Sequence, residues 1–444
     1  MFYRKNLENL RDWAKEKDRK PLVLRGARQT GKTTLVNMFA RDFDQYIYLN
    51  LEKENESSLF DGSFNIPSLL DAIFFLKDVE KNNTKTLVFI DEIQNSPNAV
   101  ATLRYLYEEA KHLYIIAAGS LLETLIDKTI SFPVGRIDYM PVRPCSFYEY
   151  LLATNESKSL NLINNIEVPE YAHSKLNELF RKYTIIGGMP EILKEYTESG
   201  DLIRLGKIYD RLIVSYQDDV EKYARNETNA RIIRHIINSA FQFAGSRITF
   251  ANFGKSNYRS RETGEAFRIM EKAMLLQLVY PVSKTKLPLE EKLGFSPKLL
   301  LLDTGLVNYS AGLQKHLISS KYIDETFNGR IAEHIVGQEL LCLTPSVKSK
   351  LNFWVPAKSN SQAELDYVLP WRDILVPIEV KSGASGTLRS LHRFIDEAPH
   401  DIAVRIYSGN YRIEDALTIK GKKFRLINLP FYLSGQINAV LDKV

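Results

Sequence analysis

Cysteine is scarce: Cys145 and Cys342 are the only two in 444 residues. That excludes a disulfide framework and a multi-cysteine zinc site, and it fits a reducing compartment. Long apolar runs are also missing. The longest, such as Leu113–Ala118, fall far short of the roughly 20 residues that span a bilayer. The first residues, MFYRKNLENLRDW, are interrupted by charge every few positions, which leaves no apolar stretch of a secretory signal. A cytoplasmic protein with no membrane partner is the expectation. Low-complexity tracts and long internal repeats are absent too. Nor is there a strong excess of one charge, since 59 Lys and Arg face 54 Asp and Glu, a net +5. That small excess is localised. Residues Gly245–Leu300 hold ten Lys and Arg against five Asp and Glu, so the rest of the chain sums to about zero. This segment is the first candidate for contact with a polyanion.

The length suggests two to four domains. From Pro21, short apolar strands alternate with amphipathic helices: strands at Leu22–Leu24, Tyr46–Asn50, Thr86–Ile90 and Leu113–Ala118, helices from Lys32, over Pro67–Val79 and over Asn98–Lys111. That alternation predicts a parallel sheet covered by helices over residues 1–153. Residues 155–169, rich in Asn and Ser, read as a connection, and long helical patterns run from Tyr171 to about Ala244. This all-α piece, 154–244, reads as a lid. Over 245–325 the order changes to a short helix at Thr249–Lys255, a turn, a helix at about Arg261–Ala273 and strands at Leu276–Val282 and Lys298–Leu302. That is the order of a winged helix. From 326 to 444 a helix, several strands and a helix at about Thr387–Glu397 predict a second, separate α/β unit.

Gly26-Ala27-Arg28-Gln29-Thr30-Gly31-Lys32-Thr33 matches the phosphate-binding pattern G-x-x-x-x-G-K-[ST], between a strand and a helix. Glycines let backbone N–H groups turn toward phosphate oxygens, and the following helix, with Thr34 in its first turn, adds its positive dipole end. Lys32 neutralises β- and γ-phosphates, and the Thr33 hydroxyl ligates Mg²⁺. Downstream, Leu87-Val88-Phe89-Ile90 reads as a central strand with Asp91 and Glu92 at its C-terminal end, the edge where open α/β sheets bind ligands. Asp91 suits Mg²⁺ and Glu92 suits the attacking water. ATP and Mg²⁺ are the expected cofactors. Ser120 ends the next strand and suits either the γ-phosphate or a helix N-cap. Arg136 suits either an arginine finger reaching a neighbouring subunit or an ordinary surface ion pair.

The loop form GxRQxGKT, Asp-Glu-Ile-Gln at 91–94, Gly-Ser at 119–120, Gly-Arg at 135–136 and Gly-Gly-Met-Pro-Glu at 187–191 together resemble the bacterial and archaeal AAA+ ATPases that carry a C-terminal domain of unknown function. The chain is also similar to archaeal ATPases of the initiator and signal-transduction type. The resemblance implies an AAA+ core, a helical lid, a winged helix and a restriction-endonuclease-like C-terminal domain.

In the C-terminal part the motif E-x-K is cheap, occurring at Glu109/Lys111, Glu156/Lys158 and Glu290/Lys292, but only Glu379/Lys381 lies on a buried-looking strand. Strand alternation puts Glu379 and Lys381 on one face. Asp366 on a neighbouring strand can join them, and Glu333 lies on the preceding helix. The arrangement resembles the PD-(D/E)xK nuclease fold. That likeness implies Asp366 and Glu379 as metal ligands, Lys381 as the partner of the catalytic base and Glu333 as an accessory acid. A nuclease fold used only for contact, or a surface with ordinary charge pairs, fits the same residues. In the winged helix, Lys255, Arg259, Arg261 and Arg268 suit phosphate contact and major-groove entry, and a protein-contacting winged helix remains the alternative. The reading that joins these parts is an ATP-hydrolysing, DNA-associated protein that can form a homo-oligomer, with a Mg²⁺-dependent nuclease module. A nucleotide-driven remodeller of a protein partner is the other reading.

Overall fold

The computed structural model describes residues 2–62, 65–81, 84–119, 135–220, 224, 226–314, 329–357, 363–381, 383 and 387–444. Its first sheet has five parallel strands: β1 (Leu22–Arg25), β2 (Gln45–Asn50), β3 (Thr86–Asp91), β4 (Tyr114–Gly119) and β5 (Asp138–Pro141), in the order β2-β3-β4-β1-β5. Every residue of β3 is buried, as a strand covered on both faces requires. One face packs Val23, Ile47, Val88 and Ile115 against the helices Ile66–Leu76 and Pro97–Glu109. The other packs Leu22, Leu24, Phe89 and Ile116 against the helices Asn6–Ala14 and Lys32–Phe39. Local signals set the boundaries. Ser96 caps the helix that starts at Pro97 by accepting from Ala99 N, and Ser146 and Glu149 form a capping box on the helix Phe147–Ala153. Strand β5 was not expected, because four residues ending in proline carry little strand signal.

The middle of the chain is helical: Glu170–Ile186, Pro190–Ser199, Leu205–Asp218 and Glu227–Ser239. The supposed connection at 155–169 contains a helix, Ser157–Asn165, whose Ile163 is buried in the large core. Its exposed Asn residues and Ser157 hid the apolar stripe. After Glu227–Ser239 come a 3-10 turn at Phe253–Lys255, in place of the short helix expected over Thr249–Lys255, then the helix Ser260–Lys272 and the antiparallel strands β6 (Leu276–Val282) and β7 (Lys298–Leu301). Left-handed backbone at Asn252, Gly254 and Lys255 explains why no regular helix forms there.

That hairpin does not stand apart from the C-terminal unit. Strand β6 pairs in parallel with β8 (Asn352–Trp354), Tyr280 opposite Asn352, and the sheet continues through β9 (Leu365–Trp371), β10 (Ile374–Lys381), β11 (Ile402–Tyr407), β12 (Arg412–Leu417) and β13 (Lys423–Pro430). The full order is β12-β13-β11-β10-β9-β8-β6-β7. The expected separate α/β unit is therefore completed by strands from the preceding segment. The helices Arg330–Leu341 and Arg389–Glu397 pack against this sheet. Among the described residues no helix is long and apolar enough to cross a membrane.

Candidate functional site

The phosphate loop leaves β1 at Gly26, where any Cβ would lie 2.2 Å from the Val142 carbonyl oxygen, so only glycine fits beside the exit of β5. Gln29 and Gly31 have left-handed φ values of 64° and 89°, which turn the loop back into the helix starting at Lys32. The Lys32 ammonium is buried and donates to the carbonyls of Gly26 (2.9 Å) and Ala27 (3.0 Å). Burial pushes its pKa down to about 8 against the pull of Glu92 and Asp91. Thr33 Oγ1 donates to Asp91 Oδ2 at 2.8 Å, and the Tyr48 hydroxyl donates to the same oxygen at 3.3 Å. Burial raises the Asp91 pKa, and the Thr33 bond opposes it. Gln94 donates its side-chain amide to Glu92 Oε2, which fixes that carboxylate. The sequence-predicted nucleotide residues from Gly26 to Thr34 thus form one loop and one helical turn, with Asp91 and Glu92 at the same edge of the sheet. Ser120 lies outside the described residues. Arg136 pairs with Glu108 at 2.5 Å on the surface of its own unit, next to Arg104.

Three supports of this loop were not apparent from the sequence. Arg4 is buried and spans Glu149 Oε1 (2.9 Å), the Thr30 carbonyl (2.9 Å) and the Arg143 carbonyl (2.7 Å), tying the loop to the helix Phe147–Ala153. Arg28 pairs with buried Asp219 at 2.7 Å, just beyond the helix Leu205–Asp218, and Tyr216 donates to the Arg28 carbonyl. The Gly-Gly-Met-Pro-Glu motif is the third. A Cβ at Gly188 would meet the Cys145 carbonyl at 2.0 Å, and one at Gly187 would meet Asp303 at 2.1 Å. Pro190, which opens the next helix, sits beside Gly31 of the loop.

Asp303 continues this contact chain. It accepts from Gly188 N at 2.6 Å, and burial raises its pKa to about 6. Its neighbour Thr304 bonds Gln338 and His334, both on the helix Arg330–Leu341. Leu301 N donates to His334 Nε2, so the ring carries its proton on Nδ1 toward Thr304, and burial lowers its pKa to about 4. Hydrogen bonds therefore run from the neighbourhood of the phosphate loop to the helix that carries Glu333.

The predicted nuclease residues do come together, but around a lysine. Lys298, first residue of β7, is buried and places its ammonium 3.0 Å from Glu333 Oε2, 2.8 Å from Glu364 Oε1 and 3.3 Å from Asp366 Oδ1. Arg247 holds the other oxygen of Glu364 at 2.9 Å. Burial opposes the Lys298 charge, but Asp366, Glu333 and Glu364 override it and hold the ammonium well above its ordinary pKa. Asp366 Oδ2 accepts from Val380 N, and Glu379 Oε1 pairs with Lys381 at 2.7 Å. Burial and the Asp366 charge raise the pKa of Glu379, and the same two causes raise that of Glu333. Asp366, Glu379 and Lys381 line an open cavity of about 950 Å³ together with Arg389 and Arg393. The oxygen donors that a hard cation needs are present, yet an ammonium occupies their centre. No group of three metal-ligating side chains among the described residues has the arrangement of a metal site. The residues as placed do not fit a bound metal. No local pattern marks Lys298, because only the pairing of β6 with β8 brings it here.

Lys255, Arg259, Arg261 and Arg268 are all exposed. Arg268 also borders a cavity of about 680 Å³ whose far wall includes Arg25, Tyr139 and Arg143 of the five-stranded unit. The loop after β6 is packed down: Thr285 donates to the Glu397 carbonyl, and Leu287 and Leu289 pack on the cluster around Trp354 and Phe394.

Three families match the chain. An AAA domain covers residues 18–151, and two domains of unknown function, DUF8612 and DUF4143, cover 177–317 and 328–432. The solved structures similar to it include the Walker-type ATPase of Pyrococcus abyssi, at 17% identity over 70% of this chain and 96% of that one, with a TM-score of 0.46. A signal transduction ATPase with numerous domains and a tetratricopeptide repeat sensor, from Pyrococcus horikoshii, has 16% identity over 78% of this chain and 46% of that one, with a TM-score of 0.29. The Aeropyrum pernix ORC1 protein in complex with DNA has 12% identity over 69% of this chain and 90% of that one, with a TM-score of 0.27. No curated protein matches.

Proposed function

We propose that this AAA-type ATPase uses ATP hydrolysis to control engagement of DNA by its middle and C-terminal parts. The observation that carries the reading is the contact between the Thr33 hydroxyl and the Asp91 carboxylate, 2.8 Å apart beside the Lys32 ammonium. Thr33 and Asp91 are hard oxygen donors and fit Mg²⁺ as direct or water-bridged ligands. When bound with ATP the cation neutralises charge on the β- and γ-phosphate oxygens. Lys32 supplies a positive charge from the loop, and the loop N–H groups add dipoles without reorganisation. Glu92, held by Gln94, orients a water and draws its proton as the water oxygen bonds the γ-phosphorus. The bond from that phosphorus to the bridging oxygen breaks, leaving ADP and phosphate.

DNA contact is supported by the exposed Lys255, Arg259, Arg261 and Arg268 and by the winged-helix order of helix, turn, helix and hairpin. A homo-oligomer in which Arg136 reaches a neighbouring nucleotide would first have to break its pair with Glu108. A protein partner is the second reading. One observation favours it: the hairpin that would act as the wing is built into the C-terminal sheet. ATP turnover of the full chain, measured with and without linear duplex DNA over a range of salt, separates the two. DNA stimulation that fades with salt is expected, and turnover indifferent to DNA at low salt would sink the DNA reading.

A further inference from the structure

We infer that Lys298 is a built-in cation that takes the place of a divalent metal in the Glu333, Glu364, Asp366 and Glu379 cluster, so that this site accepts metal only when the ammonium is withdrawn. This deepens the nuclease-like reading of the C-terminal unit and rests on it.

The charges state the case. Three carboxylates converge on one ammonium at 2.8–3.3 Å, and Lys298 comes from a strand that the preceding segment adds to the C-terminal sheet. Arg247, bridged to Lys298 in the backbone, clasps Glu364 from the same side, and both cations lie over the Phe353 ring at 4.7 and 5.3 Å. A second observation points to a ligand. Glu379 Oε2 is buried in the wall of the open cavity and has no hydrogen-bond partner, while its other oxygen is taken by Lys381. A buried carboxylate oxygen without a donor is costly in a finished site. In a site that can exchange one cation for another, it is the oxygen a metal would use. An ammonium offers three short donors in fixed directions, whereas a divalent cation gathers six or more oxygens. The cluster thus meets all three donors of Lys298 and still holds one oxygen that the lysine does not use, Glu379 Oε2. Withdrawal needs a shift of β7, the last named strand of the sheet, away from the backbone of Gly245–Ile248 that bonds its outer side.

The test is Mn²⁺ binding to the nucleotide-free full chain, followed by titration calorimetry and by the free-Mn²⁺ electron paramagnetic resonance signal. Wild type and Lys298→Arg should show no saturable uptake that depends on Asp366. Lys298→Met should gain one site per chain, at least tenfold tighter than any uptake by wild type. Lys298→Met with Asp366→Asn should lose it. The thermal midpoint of Lys298→Met should rise with Mn²⁺ while that of wild type stays fixed. If Lys298→Met does not fold, Lys298→Met with Glu333→Gln relieves one charge and still leaves Glu364, Asp366 and Glu379, with the same expected gain. No gain in the folded variant, or Asp366-dependent uptake already present in wild type, overturns the inference. DNA cleavage assayed on the same samples judges the nuclease reading separately: uptake without cleavage sinks that reading and leaves the exchange of cations standing.

Discussion

Two sites in this chain each combine carboxylates with a lysine, and they use the lysine in opposite ways. At the phosphate loop, Lys32 is held by carbonyls of its own loop, and Asp91 is left to bond a hydroxyl. In the proposed function the lysine and the acids serve a ligand together. At the C-terminal cluster, Lys298 bonds the acids directly and stands where a ligand would. The difference teaches that a set of catalytic residue types is not yet a catalytic site. What decides is whether the positive charge is parked on the backbone or on the acids.

The largest effect that would test this comparison is at the first site. Glu92→Gln should retain ATP binding and lower turnover by roughly a hundred- to ten-thousand-fold, the usual range for a lost general base. Turnover near wild type would mean that another group handles the water. At the second site, Lys298→Ala should cost about 3–5 kcal/mol of unfolding free energy, because it leaves buried carboxylates uncompensated. Urea denaturation with Asp366→Asn added should recover part of that loss, and full additivity would break the picture of one shared cation. Arg259→Glu with Arg261→Glu should weaken DNA binding and flatten the salt dependence by about two units of log–log slope. An unchanged slope would move the polyanion contact elsewhere.

The smallest expected effect concerns pH. Burial raises the pKa of Glu339 to about 7, although Tyr183 and Phe147 N donate to it. A carboxyl raised in the folded state binds its proton more tightly there than in the unfolded chain. Its contribution to stability is therefore full below the ordinary carboxylate range and is lost as pH rises toward 7. Glu339→Gln should flatten that part of the stability profile in denaturant melts from pH 4 to pH 8, and parallel profiles would place the titration on another group.

Legibility in the sequence followed the range of the contacts. The phosphate loop could be read because its geometry is local: two glycines, a lysine and a hydroxyl within eight residues, backed by the four apolar residues before Asp91. Glu379 and Asp366 could be paired because alternation along neighbouring strands is also short-ranged. Lys298 could not be read as part of their site. Its position depends on Tyr280 facing Asn352 across 72 residues, and no local pattern encodes that pairing. Arg4 was hidden for the same reason, since its partners Thr30 and Glu149 are brought together only by the finished sheet. The helix Ser157–Asn165 was missed through composition, its polar residues outnumbering the few that pack.

The continuous eight-stranded sheet has a practical corollary for anyone who would study the C-terminal part alone. A fragment beginning at residue 326 would leave behind β6, β7 and Lys298 together. Strand β8 would then present a bare edge, the kind of template on which chains self-associate. The same cut would strip the carboxylates of their internal counter-ion. Such a fragment would report an appetite for metal that belongs to the scissors and not to the intact molecule.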